Sequence, residues 1–175
     1  MWYFLLCLPT LAVVTAGACM AGPLDLARQG YLECGSYDAA AKTCVEIAKY
    51  VPRADGRFDL ISQQVIGTNP QIVMVYKVVA FEDGNQICAK YELVDFDTTE
   101  FFRENNKLGA DEASRIRNLV REGMYAVMGK ISCLTLRAEG DGFMAEYTTD
   151  GIADGRKTKT KWVKPDEGYR LVGSK

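Results

Sequence analysis

The sequence contains no histidine. That single absence removes both the commonest general base at neutral pH and the commonest ligand for transition metals. Serine is left without its usual activating partner, and no S-x-x-K spacing puts a lysine in histidine's place. Zinc and iron sites lack ligands for the same reason, and no motif implies a cofactor. A bias of charge is missing too. The formal net charge is -2, too mild a balance for a nucleic-acid binder or for a highly acidic partner.

Charge is also missing locally. From Trp2 to Leu24 no residue is charged, and Phe4 to Ala16 is apolar or small apart from Pro9, Thr10 and Thr15. This is the pattern of a secretory h-region, without the usual basic segment before it. Small residues at Ala16, Gly17, Ala18 and Ala21 supply cleavage sites. Cutting after Ala21 makes residues 1–21 a signal peptide and residues 22–175 a single exported domain of ordinary size. It also removes Cys7 and Cys19 and leaves an even set, Cys34, Cys44, Cys88 and Cys133, which suits an oxidising compartment. Two alternatives attach the chain to a membrane. "AGAC" is a degenerate lipobox, which would make Cys19 a lipid-bearing N-terminus and the protein an envelope lipoprotein. An uncharged stretch of this length, left uncleaved, could also span a bilayer.

What is present is turn chemistry. Five Asp-Gly dipeptides, at 55–56, 83–84, 141–142, 150–151 and 154–155, separate strand-like runs. Cys44 to Val51, Phe58 to Ile66, "QIVMVYKVVAF" and "QICAKYELV" read as a four-stranded antiparallel meander. Further strands are expected at Ile131 to Ala138, Phe143 to Thr148, Thr158 to Lys164 and Tyr169 to Val172. Between the two groups, Ile116, Leu119, Val120, Val127 and Met128 recur at helical spacing in a segment that Gly129-Lys130 closes. Gly123 within it points to close packing on the sheet. "LDLARQGYLEC" predicts a short helix ended by Gly35. "ADGR" occurs twice, at 54–57 and 153–156, which turns of like chemistry suffice to explain. The expected fold class is α+β: an antiparallel sheet of about seven or eight strands, one long helix packed on it and a short N-terminal helix.

Four cysteines allow three pairings. Cys34 with Cys44 and Cys88 with Cys133 is the expected one, the first closing a small loop and the second tying the meander to the strand after the helix.

Three constellations are candidates for function. In "GRKTKTKWVK", Lys157, Lys159 and Lys161 share one face of a strand, a cationic strip for an anionic polymer with Trp162 available for stacking. The competing reading is an edge strand whose lysines prevent pairing with a neighbour. In "VDFDTTE", the acidic loop of Asp95, Asp97 and Glu100 offers oxygen ligands or a pair of acid and base carboxylates. The competing reading has Asp97 or Thr99 capping a short helix through "TEFFRENNK"; the stretch matches no calcium loop, and no metal site is expected. Aromatics including Tyr76, Tyr91, Phe143 and Tyr147 are either core or the wall of a pocket, with tyrosine hydroxyls orienting a ligand.

The functional expectation is a periplasmic or secreted accessory protein, not an enzyme, that binds a partner protein or a small apolar ligand. One alternative is a carboxylate-dependent hydrolase acting on an envelope glycan. Another is an anionic-polymer binder using the lysine strand.

Overall fold

The computed structural model describes residues 22–172, so the expected signal peptide and Cys19 lie outside the described residues. A single helical turn, α1 (Asp25–Arg28), leads into β1 (Leu32–Gly35), a short β2 (Thr43–Cys44), β3 (Glu46–Pro52), β4 (Phe58–Thr68), β5 (Gln71–Asp83) and β6 (Gln86–Lys90). An excursion of α2 (Leu93–Asp97), β7 (Glu100–Arg103), β8 (Asn106–Lys107) and α3 (Ala110–Met124) follows. The chain then returns through β9 (Ile131–Glu139), β10 (Gly142–Thr149), β11 (Ile152–Val163) and β12 (Arg170–Leu171).

The structure is rich in antiparallel sheet, as expected, but the sheet is not open. Its order is β4-β3-β1-β11-β10-β9-β6-β5, and β5 pairs again with β4. Eight strands, each antiparallel to its neighbours, therefore close into an up-and-down barrel. With β7 and β8 the sheet holds ten strands, more than the seven or eight expected.

Closure depends on a strand read as helix. The helix expected over "LDLARQGYLEC" lasts one turn, because Gly30 adopts φ 86°. Its N–H reaches Ala27 O and that of Tyr31 reaches Leu26 O, the Schellman arrangement that ends helices. The residues beyond become β1, which pairs with β3 on one side and β11 on the other.

Strand alternation turns one set of side chains inward. At one end Leu24 and Ala27 plug the barrel against Phe58, Leu60, Val78, Ala80, Ile87 and Trp162. Arg28 pairs with Glu82 there, and its guanidinium lies 5.0 Å over the Phe58 ring.

The long helix differs most from expectation. It ends at Met124 and none of its residues is buried, so it does not lie across the sheet, and a Cβ at Gly123 would meet nothing within 4 Å. Leu119 of its apolar set is 67% exposed, and arginines tie the helix to the rest of the excursion. Arg117 Nη2 donates to Thr99 O at 3.0 Å, and Arg121 pairs with Asp97 at 2.8 Å. "TEFFRENNK" is no helix either: β7 and β8 form a hairpin through Glu104 and Asn105, both at positive φ. β7 pairs with the Ile72–Val75 stretch of β5 that β6 does not reach.

Both expected disulfides are present, Cys34–Cys44 and Cys88–Cys133. They fit an oxidising compartment. Among the described residues no helix is long and apolar enough to cross a membrane. Cys88 and Cys133 are register partners of β6 and β9, the two strands between which the excursion leaves and returns. Removing this bridge by Cys88→Ala with Cys133→Ala frees a closed span of 45 residues. A loss of about 2–4 kcal/mol is expected in urea unfolding; an unchanged midpoint would mean that the ladder alone holds the junction.

Candidate functional site

The half of the barrel interior away from the α1 plug is polar. Glu33 comes from β1, Glu46 and Tyr50 from β3, Ser62 and Gln64 from β4, and Tyr76 from β5. Tyr91 follows β6, Tyr147 belongs to β10, and Arg156, Thr158 and Thr160 belong to β11. Most of these side chains line a cup of about 310 Å³, with Met124 of α3 and Ser36 also on its wall. Eight-stranded barrels are wide enough for packed side chains or for one small ligand, and this volume is at the lower end of the range for small-molecule sites.

Two carboxylates define its chemistry. Glu33 is 7% exposed; Tyr50 donates to its Oε2 at 2.5 Å, and the Thr160 hydroxyl is 3.2 Å from its Oε1. That hydroxyl is also 3.2 Å from Cys34 O. It has one proton for two acceptors, so it either shares that proton between them or accepts from a protonated Glu33. Burial pushes the Glu33 carboxyl up to about 7, opposed by the Tyr50 hydrogen bond and reinforced by the charge of Glu46. Glu46, partly open to the cup, accepts from Ser62 Oγ at 2.5 Å and Tyr76 OH at 3.3 Å. Burial raises it as well, against those two hydrogen bonds. Among the described residues no lysine or arginine acts on either carboxyl.

The tyrosines stay neutral. Burial lifts Tyr91 to about 12 and raises Tyr50, Tyr76 and Tyr147 well above the usual phenol range. Tyr76 and Tyr91 rings lie 6.3 Å apart. At the mouth, the register of β10 with β11 shifts between Glu146 and Thr148. Asp154, Gly155 and Arg156 bulge opposite Tyr147 there, with Gly155 at φ 78°. The bulge sets the Arg156 guanidinium 4.8 Å over the Tyr147 ring, while Asp154 holds it through Nε at 2.9 Å and Nη2 at 2.6 Å.

None of the lysine or acidic candidates is in the cup. Lys157, Lys159 and Lys161 alternate with Thr158, Thr160 and Trp162 and face away from the interior. Lys157 pairs with Glu146 at 2.8 Å and Lys161 with Asp141 at 2.8 Å. β11 is an inner strand of the closed sheet, so the lysines guard no edge. Trp162 is 7% exposed and packs against Tyr50 with ring centroids 5.7 Å apart, so it is not available to stack on a ligand beside the lysines. In the acidic loop Asp95 accepts from the Glu92 backbone N–H at 2.8 Å in a capping box on α2. Asp97 pairs with Arg121 and Glu100 with Lys107. Among the described residues no group of histidine, cysteine and acidic side chains converges as a metal site would require.

Glu33, Glu46, Tyr50, Ser62, Thr160 and Arg156 escaped the sequence reading. For Glu46 a signal existed: in "EIAKYV" it shares a face with Ala48 and Tyr50, a charge on an apolar face. Glu33 had none once its segment was taken as helix.

Fold and site together define a closed antiparallel barrel with a polar, carboxylate-bearing cup. No family model matches the chain, and no curated protein or solved structure gives a significant match.

The raised carboxyl sets a pH dependence of stability. Glu33 titrates at 4.5 when unfolded and at about 7 when folded. Between those values the folded state binds more protons than the unfolded one. The contribution is complete below pH 4.5 and is lost as pH rises through 7, a change of about 3 kcal/mol. Glu46 adds in the same direction. The surface carboxylates Asp55, Asp59, Asp141, Glu146 and Asp154 are shifted down by their cationic partners, and their effect falls at more acid pH. Glu33→Gln should therefore flatten the fall in stability from pH 5 to pH 8 and stabilise the protein at pH 8. A variant no more stable than wild type in urea at pH 8 would contradict a buried, raised carboxyl.

Proposed function

We propose that this protein is a non-enzymatic binding protein, periplasmic or secreted, that takes a small organic molecule into the barrel cup. The observation that carries this reading is the cup itself, a cavity of about 310 Å³ lined by side chains of seven barrel strands. A barrel that only needed a core would fill it, as the plugged end does. The lining favours a polar ligand over the apolar one expected from the aromatics. Disulfides and the uncharged N-terminal stretch support export.

A second reading has one observation behind it. Glu33, protonated near neutrality, and Glu46 have the unequal environments that a carboxylate-dependent hydrolase uses for acid and base. Recovery of cleaved rather than intact ligand after incubation would favour it. An anionic polymer on the outer lysines has less support, because carboxylates already pair with Lys157 and Lys161.

A screen of small polar molecules by amide NMR tests the binding reading. Shifts are expected at Glu33, Glu46, Tyr50 and Tyr147, and Thr158→Trp, which fills the mouth from a half-buried position, should abolish them without lowering the melting temperature. Shifts confined to the outer face, or unaffected by Thr158→Trp, would refute it.

A further inference from the structure

The cup has two carboxylates and, among the described residues, no counter-charge acting on them. Taking an ionised carboxylate out of water is costly unless a cation or several hydrogen bonds compensate. Elsewhere in this protein compensation is routine: Asp59 has both Arg53 and Lys77, and Glu146 has both Arg137 and Lys157. Glu33 and Glu46 have only neutral donors, Tyr50 and Thr160 for one, Ser62 and Tyr76 for the other. The nearest cation of the wall, Arg156, is at the mouth and is neutralised by Asp154.

Four tyrosines, Tyr50, Tyr76, Tyr91 and Tyr147, are part of the same wall. Tyrosine faces attract ammonium and guanidinium groups, more strongly where water is excluded. One such contact already exists, between the Arg156 guanidinium and the face of Tyr147 at 4.8 Å. A protein cation thus rests on the same wall that a ligand would meet deeper in.

We propose that the ligand is an organic ammonium ion, with its charge between Glu33 and Glu46 and its carbon frame against Tyr50, Tyr76, Tyr91 and Tyr147. This rests on the reading of the cup as a small-molecule site and narrows it to one charge class. Once the carboxyls are ionised, a neutral ligand leaves their charge uncompensated, and an anion meets like charge. A cation supplies what the fold withholds. Binding then competes with the proton on Glu33. The titratable and charged groups around that carboxyl are Glu46 and Tyr50 from β3, Tyr76 from β5, Tyr91 after β6, Tyr147 from β10 and Arg156 from β11. Of these Glu33 is the group pushed up to about 7, so ammonium affinity should rise about tenfold from pH 6 to pH 8.

The test uses matched probes on the intact protein, read by calorimetry and amide NMR at pH 8. Tyramine is compared with 2-(4-hydroxyphenyl)ethanol and 4-hydroxyphenylacetate, choline with 3,3-dimethylbutanol, and butylamine with butanol and butyrate. The ammonium members should bind at least about tenfold more tightly than their neutral isosteres, with shifts in the cup. Glu33→Gln and, separately, Glu46→Gln should erase that preference; Glu33→Gln should also erase the rise between pH 6 and pH 8. Neutral or anionic probes binding as well as the amines would overturn the ammonium assignment and leave the cup as a binding site. So would amines that fail while other polar molecules from the screen enter the cup. If neither amines nor any molecule of the screen enters, both readings fall.

Discussion

The pairing of β1 with β11 is the contact on which the structure depends. Leu32 to Gly35 pair with Val163 to Thr160, and without those four positions the meander would be an open sheet with two exposed edges. The same pairing decides which way β1 faces. Cys34 turns outward to its disulfide with Cys44, so Glu33 must turn inward, against Tyr50 and Thr160. A slip of one residue would exchange the two and bury no carboxylate.

Closure then divides the interior into two halves with different physics. The plugged half is ordinary core, Leu24, Phe58 and Trp162 sealed by α1. The open half keeps two carboxylates without a cation, a cost to stability that hydrogen bonds from Tyr50, Thr160, Ser62 and Tyr76 only partly offset. A cup of this kind is held open by the barrel's hydrogen-bond ring, which is satisfied strand to strand and needs no filling from within. The excursion after β6 completes the wall. Between β6 and β9 the chain leaves the barrel, covers the uncovered stretch of β5 with β7, and returns along α3, whose last residue reaches the cup. The disulfide Cys88–Cys133 binds the two strands between which it leaves and returns.

Much of the strand pattern was legible because it is local. Asp-Gly turns and alternating side chains marked β3 to β6 and β9 to β11, and of the three pairings open to four cysteines the expected one is present. The errors arose where a local signal pointed one way and long-range pairing the other. The apolar spacing of 110–128 is genuine, yet the helix is held by Arg117 and Arg121 against Thr99 and Asp97 and buries none of its residues, and no spacing within a helix says which surface it will meet. β1 is four residues long, too short to show a period, and it is a strand because β3 and β11 present unpaired backbone groups on both of its sides.

The tetrapeptide "ADGR" separates the two kinds of determination. At 54–57 and 153–156 it folds alike: each arginine binds back to its aspartate through the backbone N–H, Nε and Nη2. The sequence by itself determined that motif, since every atom involved lies within three residues. Only the tertiary structure decided that Arg57 closes a turn at the rim of β4 while Arg156 rests on Tyr147 at the mouth of the cup. That difference depends on β10 lying opposite the bulge, and so on strand pairing around the closed barrel.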